Sequence, residues 1–192
     1  MAGDCGPLLD SIEKSVQVIA EASSYVETIA SIARDLSEAF TTGHKMLACG
    51  NGGSAADAMH LTGEWVGRFV QDRKPYPAIA LTADGTLLTC LSNDYGYENV
   101  FSRQVEGLGS KGDILIVFSS SGNSENLIKA VETAKEQGLT TVAILGRDGG
   151  RIAGMAHHEI IVKGKATARI QEAHMLIVHL ICEETERLLG HG

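Results

Sequence analysis

Five short apolar runs punctuate the chain, at residues 46–49, 78–81, 114–118, 141–145 and 159–162. None alternates strictly between apolar and polar positions, which is the pattern of strands buried on both faces. The stretches between them carry apolar residues at helical spacing instead. Leu8, Leu9, Ile12, Val16, Ile19, Tyr25, Ile29, Ile32, Leu36 and Phe40 predict one or two amphipathic helices over 8–40. Residues 54–70, 99–108, 124–137 and 168–189 also read as helices. Strand, turn and helix in repeated succession mean a parallel sheet covered on both faces. The expectation is one α/β domain spanning 1–192, with residues 8–40 as an N-terminal helical arm.

Glycine sharpens that picture. The 22 glycines, against 3 prolines, cluster at CGNGGS, SNDYGY, SSSGNS and GRDGG, each beside an apolar run. In open α/β sheets ligands bind beyond the carboxyl ends of the strands, where loops enter helices, and three of these clusters fall there. Candidate chemistry therefore begins in those loops.

Ser119, Ser120 and Ser121, then Gly122 and Ser124, join the third run to the helix over 124–137. Hydroxyls beside unpaired helix N-terminal amides make a phosphate nest, or else a serine-rich turn that merely caps the helix. Neither a Walker loop nor a dinucleotide fingerprint is present. Asn51, Gly52, Gly53 and Ser54 repeat the arrangement after the first run, with Ser54 expected to cap the next helix. On that helix His60 and Glu64 are one turn apart, spaced for a shared metal, an acid/base pair or a solvated pair. Residues 169–181 form a helix that is apolar nearly all round yet carries Gln171, His174 and His179. Gln171 and His179 are about 12 Å apart along its axis and about 80° apart around it, so a shared ligand must sit between them. A buried histidine needs a partner, and for His179 that is Glu64 or a metal. A backbone carbonyl suits His174.

Composition then narrows the class. A net charge of −8, from 24 acids and 16 bases, lacks the electrostatic footprint of a nucleic-acid wrapper. No apolar run reaches the roughly 18 residues of a membrane span, and no basic-then-apolar leader opens the sequence, so a cytoplasmic protein is expected. Cys5, Cys49, Cys90 and Cys182 form no CxxC pair. All four are expected as reduced thiols, with Cys49, Cys90 and Cys182 buried in apolar runs.

Taken together, CGNGGSAADAMH, the ND of SNDYGYENVFSRQV, SSSGNSENLIKA, GRDGG and RIQEAHMLIVH resemble the phosphoheptose isomerases of the sugar isomerase (SIS) domain superfamily. The likeness runs from about residue 8 to residue 189, in order and at family spacing. It implies a five-stranded parallel sheet between helices and a homotetramer with active sites at subunit boundaries. It also implies conversion of sedoheptulose 7-phosphate to D-glycero-D-manno-heptose 7-phosphate through an enediol, the first step towards the nucleotide-activated heptoses of lipopolysaccharide and other glycans. By the same match Ser119, Ser120, Ser121 and Ser124 cradle the 7-phosphate, and Asn51, Gly52, Gly53, Asn93 and Asp94 contact the sugar. Glu64 and His179 match the catalytic pair and also touch substrate or metal. His60, Glu64, Gln171 and His179 resemble a zinc site, with Gln171 near the sugar as well, and Arg68 is a weaker candidate for sugar or phosphate contact. One departure stands out: Ala168 occupies a place where some family members carry an acid.

The rival reading is a non-catalytic binding protein on the same fold. Residues 168–176 resemble a relative that associates with the replication initiator DnaA. That relative lacks the helix glutamate and has Asn for the second histidine, whereas this chain keeps Glu64 and His179. Both are costly to bury unpaired, so their retention favours catalysis.

Overall fold

The structure of the protein, a computed structural model, describes residues 5–191. Residues 1–4 and 192 of the expected 1–192 domain lie outside the described residues. The first helical stretch is divided in two: α1 (Gly6–Ala20) and α2 (Val26–Thr41) meet at a 3-10 turn over Glu21–Tyr25. They differ in what they bury. No residue of α1 is buried, while α2 sinks Ile29, Ile32, Leu36 and Phe40 into the core.

The remainder alternates as the apolar runs predict. In order come β1 (Met46–Gly50), α3 (Gly53–Val66), β2 (Ala78–Ala80), α4 (Gly85–Tyr95), α5 (Ser102–Leu108), β3 (Ile114–Ser119), α6 (Glu125–Glu136), β4 (Thr140–Gly146), β5 (His158–Val162) and α7 (Thr167–Leu188). The strands form one parallel sheet in the order β2-β1-β3-β4-β5. Alternate residues of each central strand point to opposite faces. Met46, Ala48, Ile114, Ile116, Phe118, Val142 and Ile144 pack with α2, α3 and α7 on one side. Leu47, Cys49, Leu115, Val117, Ala143 and Leu145 pack with α5 and α6 on the other. That double burial is why the strands read as unbroken apolar runs.

Three details depart from expectation. Helix α3 stops at Val66 rather than 70, because Gly67 leaves helical geometry while its amide still reaches the Gly63 carbonyl at 2.8 Å. Helix α4 was not foreseen: Asp84 caps it, its carboxylate accepting from the Leu87 amide at 2.9 Å, and only Leu91 of the helix is buried. Cys90, expected in the core, is exposed on α4, while Cys49 and Cys182 are buried. Among the described residues no disulfide joins the cysteines, and no helix is long and apolar enough to cross a membrane.

For function, two placements matter. The parallel register brings the carboxyl ends of β1, β3 and β4 side by side, so loops 51–52, 120–124 and 147–150 abut. Helices α3 and α7 lie against the same face of the sheet and against each other.

Candidate active site

The serine loop after β3 encloses a cavity of about 100 Å³, lined by Asn51, Ser54, Phe118, Ser119, Ser120, Ser121, Ser124 and Leu127. Ser119 is buried and its hydroxyl oxygen accepts from the Gly122 amide at 3.0 Å, which curls the loop. Ser124 occupies the N-cap of α6, yet its hydroxyl makes no cap bond and stays available to the cavity. Hydroxyls and the positive end of α6 thus face one small space, the arrangement that binds a phosphate group. Ser54 lines the same space from within the first turn of α3; Gly52, not Ser54, is the N-cap there.

Asn51 is held by a hydrogen-bonded group that the sequence did not reveal. Its amide exchanges two bonds with the buried Asn126, Nδ2 to Oδ1 at 2.9 Å and the reverse at 3.0 Å. The Tyr97 hydroxyl also donates to Asn51 Oδ1, at 2.8 Å. One N–H of the Asn51 amide is left over for a ligand. Gly53 admits a close neighbour: a Cβ there would lie 2.3 Å from Gln171 Nε2, so only glycine lets the Gln171 amide rest on the start of α3. Asn93 and Asp94, expected beside the sugar, sit on the last turn of α4, exposed and bonded to each other at 2.8 Å. Neither lines the serine cavity.

A second centre lies further along α3. His60 Nε2 is 2.8 Å from Glu64 Oε1 and 3.2 Å from His179 Nε2, giving a row of Glu64, His60 and His179. One ligand atom from each lies within 4.8 Å of the others. Two imidazole nitrogens and a carboxylate are a donor set suited to zinc, so these residues fit such an ion. The partner of His179 is therefore His60 rather than Glu64, and His179 is half-buried beneath Phe69, ring centroids 5.7 Å apart. Gln171, expected as a fourth ligand, turns its amide to Gly53. Arg68 lies beyond the end of α3, exposed and bonded to the Val70 carbonyl at 2.9 Å. Ala168 is an exposed residue in the first turn of α7.

Other charged groups shape the surroundings. Asp57, one turn before His60 on α3, is buried with one carboxylate oxygen unpartnered; burial pushes its carboxyl up to about 6, against the opposing pull of His60. His174 is a core residue: its Nε2 meets the Leu145 carbonyl at 3.1 Å, and burial pushes it down to about 4, so it is neutral at pH 7. Arg73 and Glu186, whose side chains are both out of solvent, form an ion pair at 2.6 Å. A charged loop residue 113 positions from its partner gives no sequence signal of that burial.

The chain is similar to known proteins over most of its length. The SIS domain family profile matches residues 9–146. A phosphoheptose isomerase of Fusobacterium nucleatum is 51% identical over 158 residues, covering 82% of this chain and 81% of that one. One from Clostridium acetobutylicum is 46% identical over 179 residues, covering 93% and 91%. The solved structure of phosphoheptose isomerase GmhA from Neisseria gonorrhoeae superposes with a TM-score of 0.89 at 40% identity, covering 94% of this chain and 97% of that one.

Proposed function

From the premise that the chain belongs to the SIS domain family, and within it to the phosphoheptose isomerases, we propose that it interconverts sedoheptulose 7-phosphate and D-glycero-D-manno-heptose 7-phosphate by proton transfer. An isomerase of this family takes a sugar phosphate as substrate. The observation that carries the specific reading is the convergence of Glu64, His60 and His179 at one centre on α3, with the serine cavity at the other. Ser54, in the cavity wall, and His60 are six residues apart, about 9 Å along the helix axis. A sugar phosphate anchored in the cavity extends its far carbons towards the second centre.

Ser119, Ser120, Ser121 and Ser124 hold the phosphate, and Asn51, with the Gly52 and Gly53 backbone, orients the chain of hydroxyls. Asn93 and Asp94 reach the sugar from α4. Glu64 removes the proton from C1 of the ketose while His179 protonates the carbonyl oxygen at C2, giving the enediol. The proton then returns to C2 as the hydroxyl at C1 gives up its own, and the aldose forms. His60 links the two groups, so the base and the acid are reset along the hydrogen-bonded row. His60, Glu64, His179 and a reoriented Gln171 would hold zinc, which when bound supplies Lewis-acid polarisation of the substrate oxygens.

The same reading includes a cytoplasmic, single-domain subunit with an N-terminal arm over 8–40, feeding heptose into surface glycans. It also includes a homotetramer, supported by the exposed apolar stripe of α1, where Leu8, Leu9, Ile12 and Val16 lie open. The test is an NMR time course with sedoheptulose 7-phosphate in D₂O, with added zinc and with chelator. Aldoheptose 7-phosphate carrying deuterium at C2 is expected. Product without deuterium would point to a hydride shift, and no product from the folded protein would transfer the assignment to the DnaA-type binding reading.

A further inference from the structure

Helix α3 ends two residues after Glu64, so the proposed base stands in a terminal turn. The carbonyls of such a turn lack helical partners, and an unsatisfied end frays. Gly63 gives its carbonyl to the Gly67 amide at 2.8 Å. The Glu64 carbonyl goes to one side chain, which also shares the Trp65 carbonyl with the Tyr76 amide at 3.0 Å. Arg73 NH2 donates to the Glu64 carbonyl at 2.8 Å, and NH1 donates to the Trp65 carbonyl at 2.9 Å and to that of Lys74 at 3.2 Å.

That guanidinium is itself fixed on every side. Its Nε donates to Glu186 at 2.6 Å, and it lies 4.9 Å from the Tyr76 ring centroid and 5.6 Å from that of Trp65. Both members of the pair are out of solvent. Glu186 further accepts from the amides of Phe69 and Val70, each at 3.4 Å. It is seven residues after His179 on α7, two turns along the same face. Phe69, in the loop so held, packs on the His179 ring. The pair therefore grips the backbone of Glu64 from one helix and, through Phe69, the ring of His179 on the other.

We propose that Arg73 and Glu186 are positioning residues that set the placement of Glu64 and His60 against His179. A buried ion pair is costly to desolvate and often replaceable by apolar residues without loss of stability. Packing alone therefore does not account for it, whereas the directed bonds to the Glu64 and Trp65 carbonyls need a planar, forked donor. The proposal rests on the isomerase reading for its kinetic arm only.

The experiment compares wild type, Arg73→Lys, Arg73→Met and the double variant Arg73→Met/Glu186→Leu. It measures kcat, KM for sedoheptulose 7-phosphate, melting temperature, and the ring ¹⁵N signals of His60 and His179 in metal-free protein. The single Arg73→Met leaves Glu186 buried and unpaired, and its melting temperature falls. The double variant regains the melting temperature, yet kcat stays at least tenfold down with KM within twofold, because the serine cavity is at the far end of α3. The ring signals move in both. Lysine restores charge without the fork and recovers stability ahead of kcat; it carries the comparison if Arg73→Met does not fold. Recovery of kcat together with stability, or unmoved ring signals in the double variant, overturns the proposal. If wild type has no turnover, the isomerase reading fails and the ring signals alone decide this one.

Discussion

Glu64 and His179 do not touch: the Glu64 carboxylate meets His60 at 2.8 Å, and His60 in turn meets His179 at 3.2 Å. The middle histidine gives the centre its character. With His60 neutral, its Nε2 serves one neighbour as donor or the other as acceptor, never both as donor. A metal among the three, taking a lone pair from each, removes that conflict. The row is therefore not a closed structural network, and its donor set suits an ion.

In the proposed mechanism both ends of the row serve turnover. Glu64→Gln keeps the shape and a hydrogen bond to His60 but cannot accept a proton from carbon. His179→Ala removes the group proposed to protonate the carbonyl oxygen. Each is expected to lower kcat by about 10³-fold, within the usual range for a positioned acid or base. Circular dichroism and melting temperature remain near wild type, since both side chains are partly exposed. Near-wild-type turnover in either variant would remove it from the mechanism.

A separate prediction concerns the phosphate end. Gly122 has φ +64°, and a Cβ there would come within 1.8 Å of the Gly149 carbonyl oxygen. Its own carbonyl accepts from Ile152 at 3.0 Å, so the loop after β4 is the wall against which the serine loop is moulded. Gly122→Ala is expected to raise KM for the sugar phosphate at least tenfold and to weaken inhibition by inorganic phosphate in parallel. The control is Gly43→Ala. Gly43 has φ +86° with nothing within 4 Å, so it carries the same backbone penalty of about 1–2 kcal/mol at the opposite end of the sheet. If both variants changed KM equally, global destabilisation and not the serine loop would be responsible.

The strands and the ligand loops were legible because each has a local cause: burial on both faces, and hydroxyls and glycines at a strand's end. Residues that work through packing were not. His60 and Glu64 are visible at helical spacing, but the contact of His60 with His179 depends on how α3 crosses α7. Tyr97, which stays exposed, and the buried Asn126 have no local signal of their bonds to Asn51, because only the fold brings them to it. Helix α4 has local signals that the reading of the apolar runs passes over: Leu87, Leu88 and Leu91 pack on the core at helical spacing, and Asp84 three residues before Leu87 is a capping residue. Arg73 carries no sequence signal of its burial, since most arginines in loops are solvated.

The stripe on α1 predicts assembly. Leu8, Leu9, Ile12 and Val16 are each at least 58% exposed, and the helix buries none of its residues within the subunit. Within the subunit α1 packs along α7 through its other face, where Val18 meets the core and Arg169 bonds to Ser11 and Ser15, which leaves the stripe uncovered. Helices gain most of their stability from packing. Another subunit supplies that packing in the proposed tetramer. Ile12→Glu places a charge in the middle of the stripe and is expected to shift the mass measured by light scattering from tetramer to smaller species. An unchanged tetramer would locate the interface elsewhere.

His174 makes stability fall in acid. Its imidazole titrates near 6.5 when unfolded and at about 4 in the folded core, where burial opposes the charge and the Leu145 carbonyl only partly offsets it. Between those values the unfolded chain binds a proton that the folded chain refuses. The contribution is therefore complete above pH 6.5 and is lost as pH falls towards 4, by about 3 kcal/mol in all. Asp57 acts in the opposite sense. Its carboxyl is raised to about 6 by burial, so the folded protein binds a proton before the unfolded one does and gains stability over much of the same range. Wild type is expected to show a shallow dependence in which the two offset each other. His174→Gln retains a donor for Leu145 without a titratable ring, and its urea midpoint should hold or rise between pH 6.5 and 4.5. Asp57→Asn exposes the histidine alone, and its midpoint should fall steeply over that interval. Parallel curves for wild type and His174→Gln would show that the buried imidazole does not govern the acid limb.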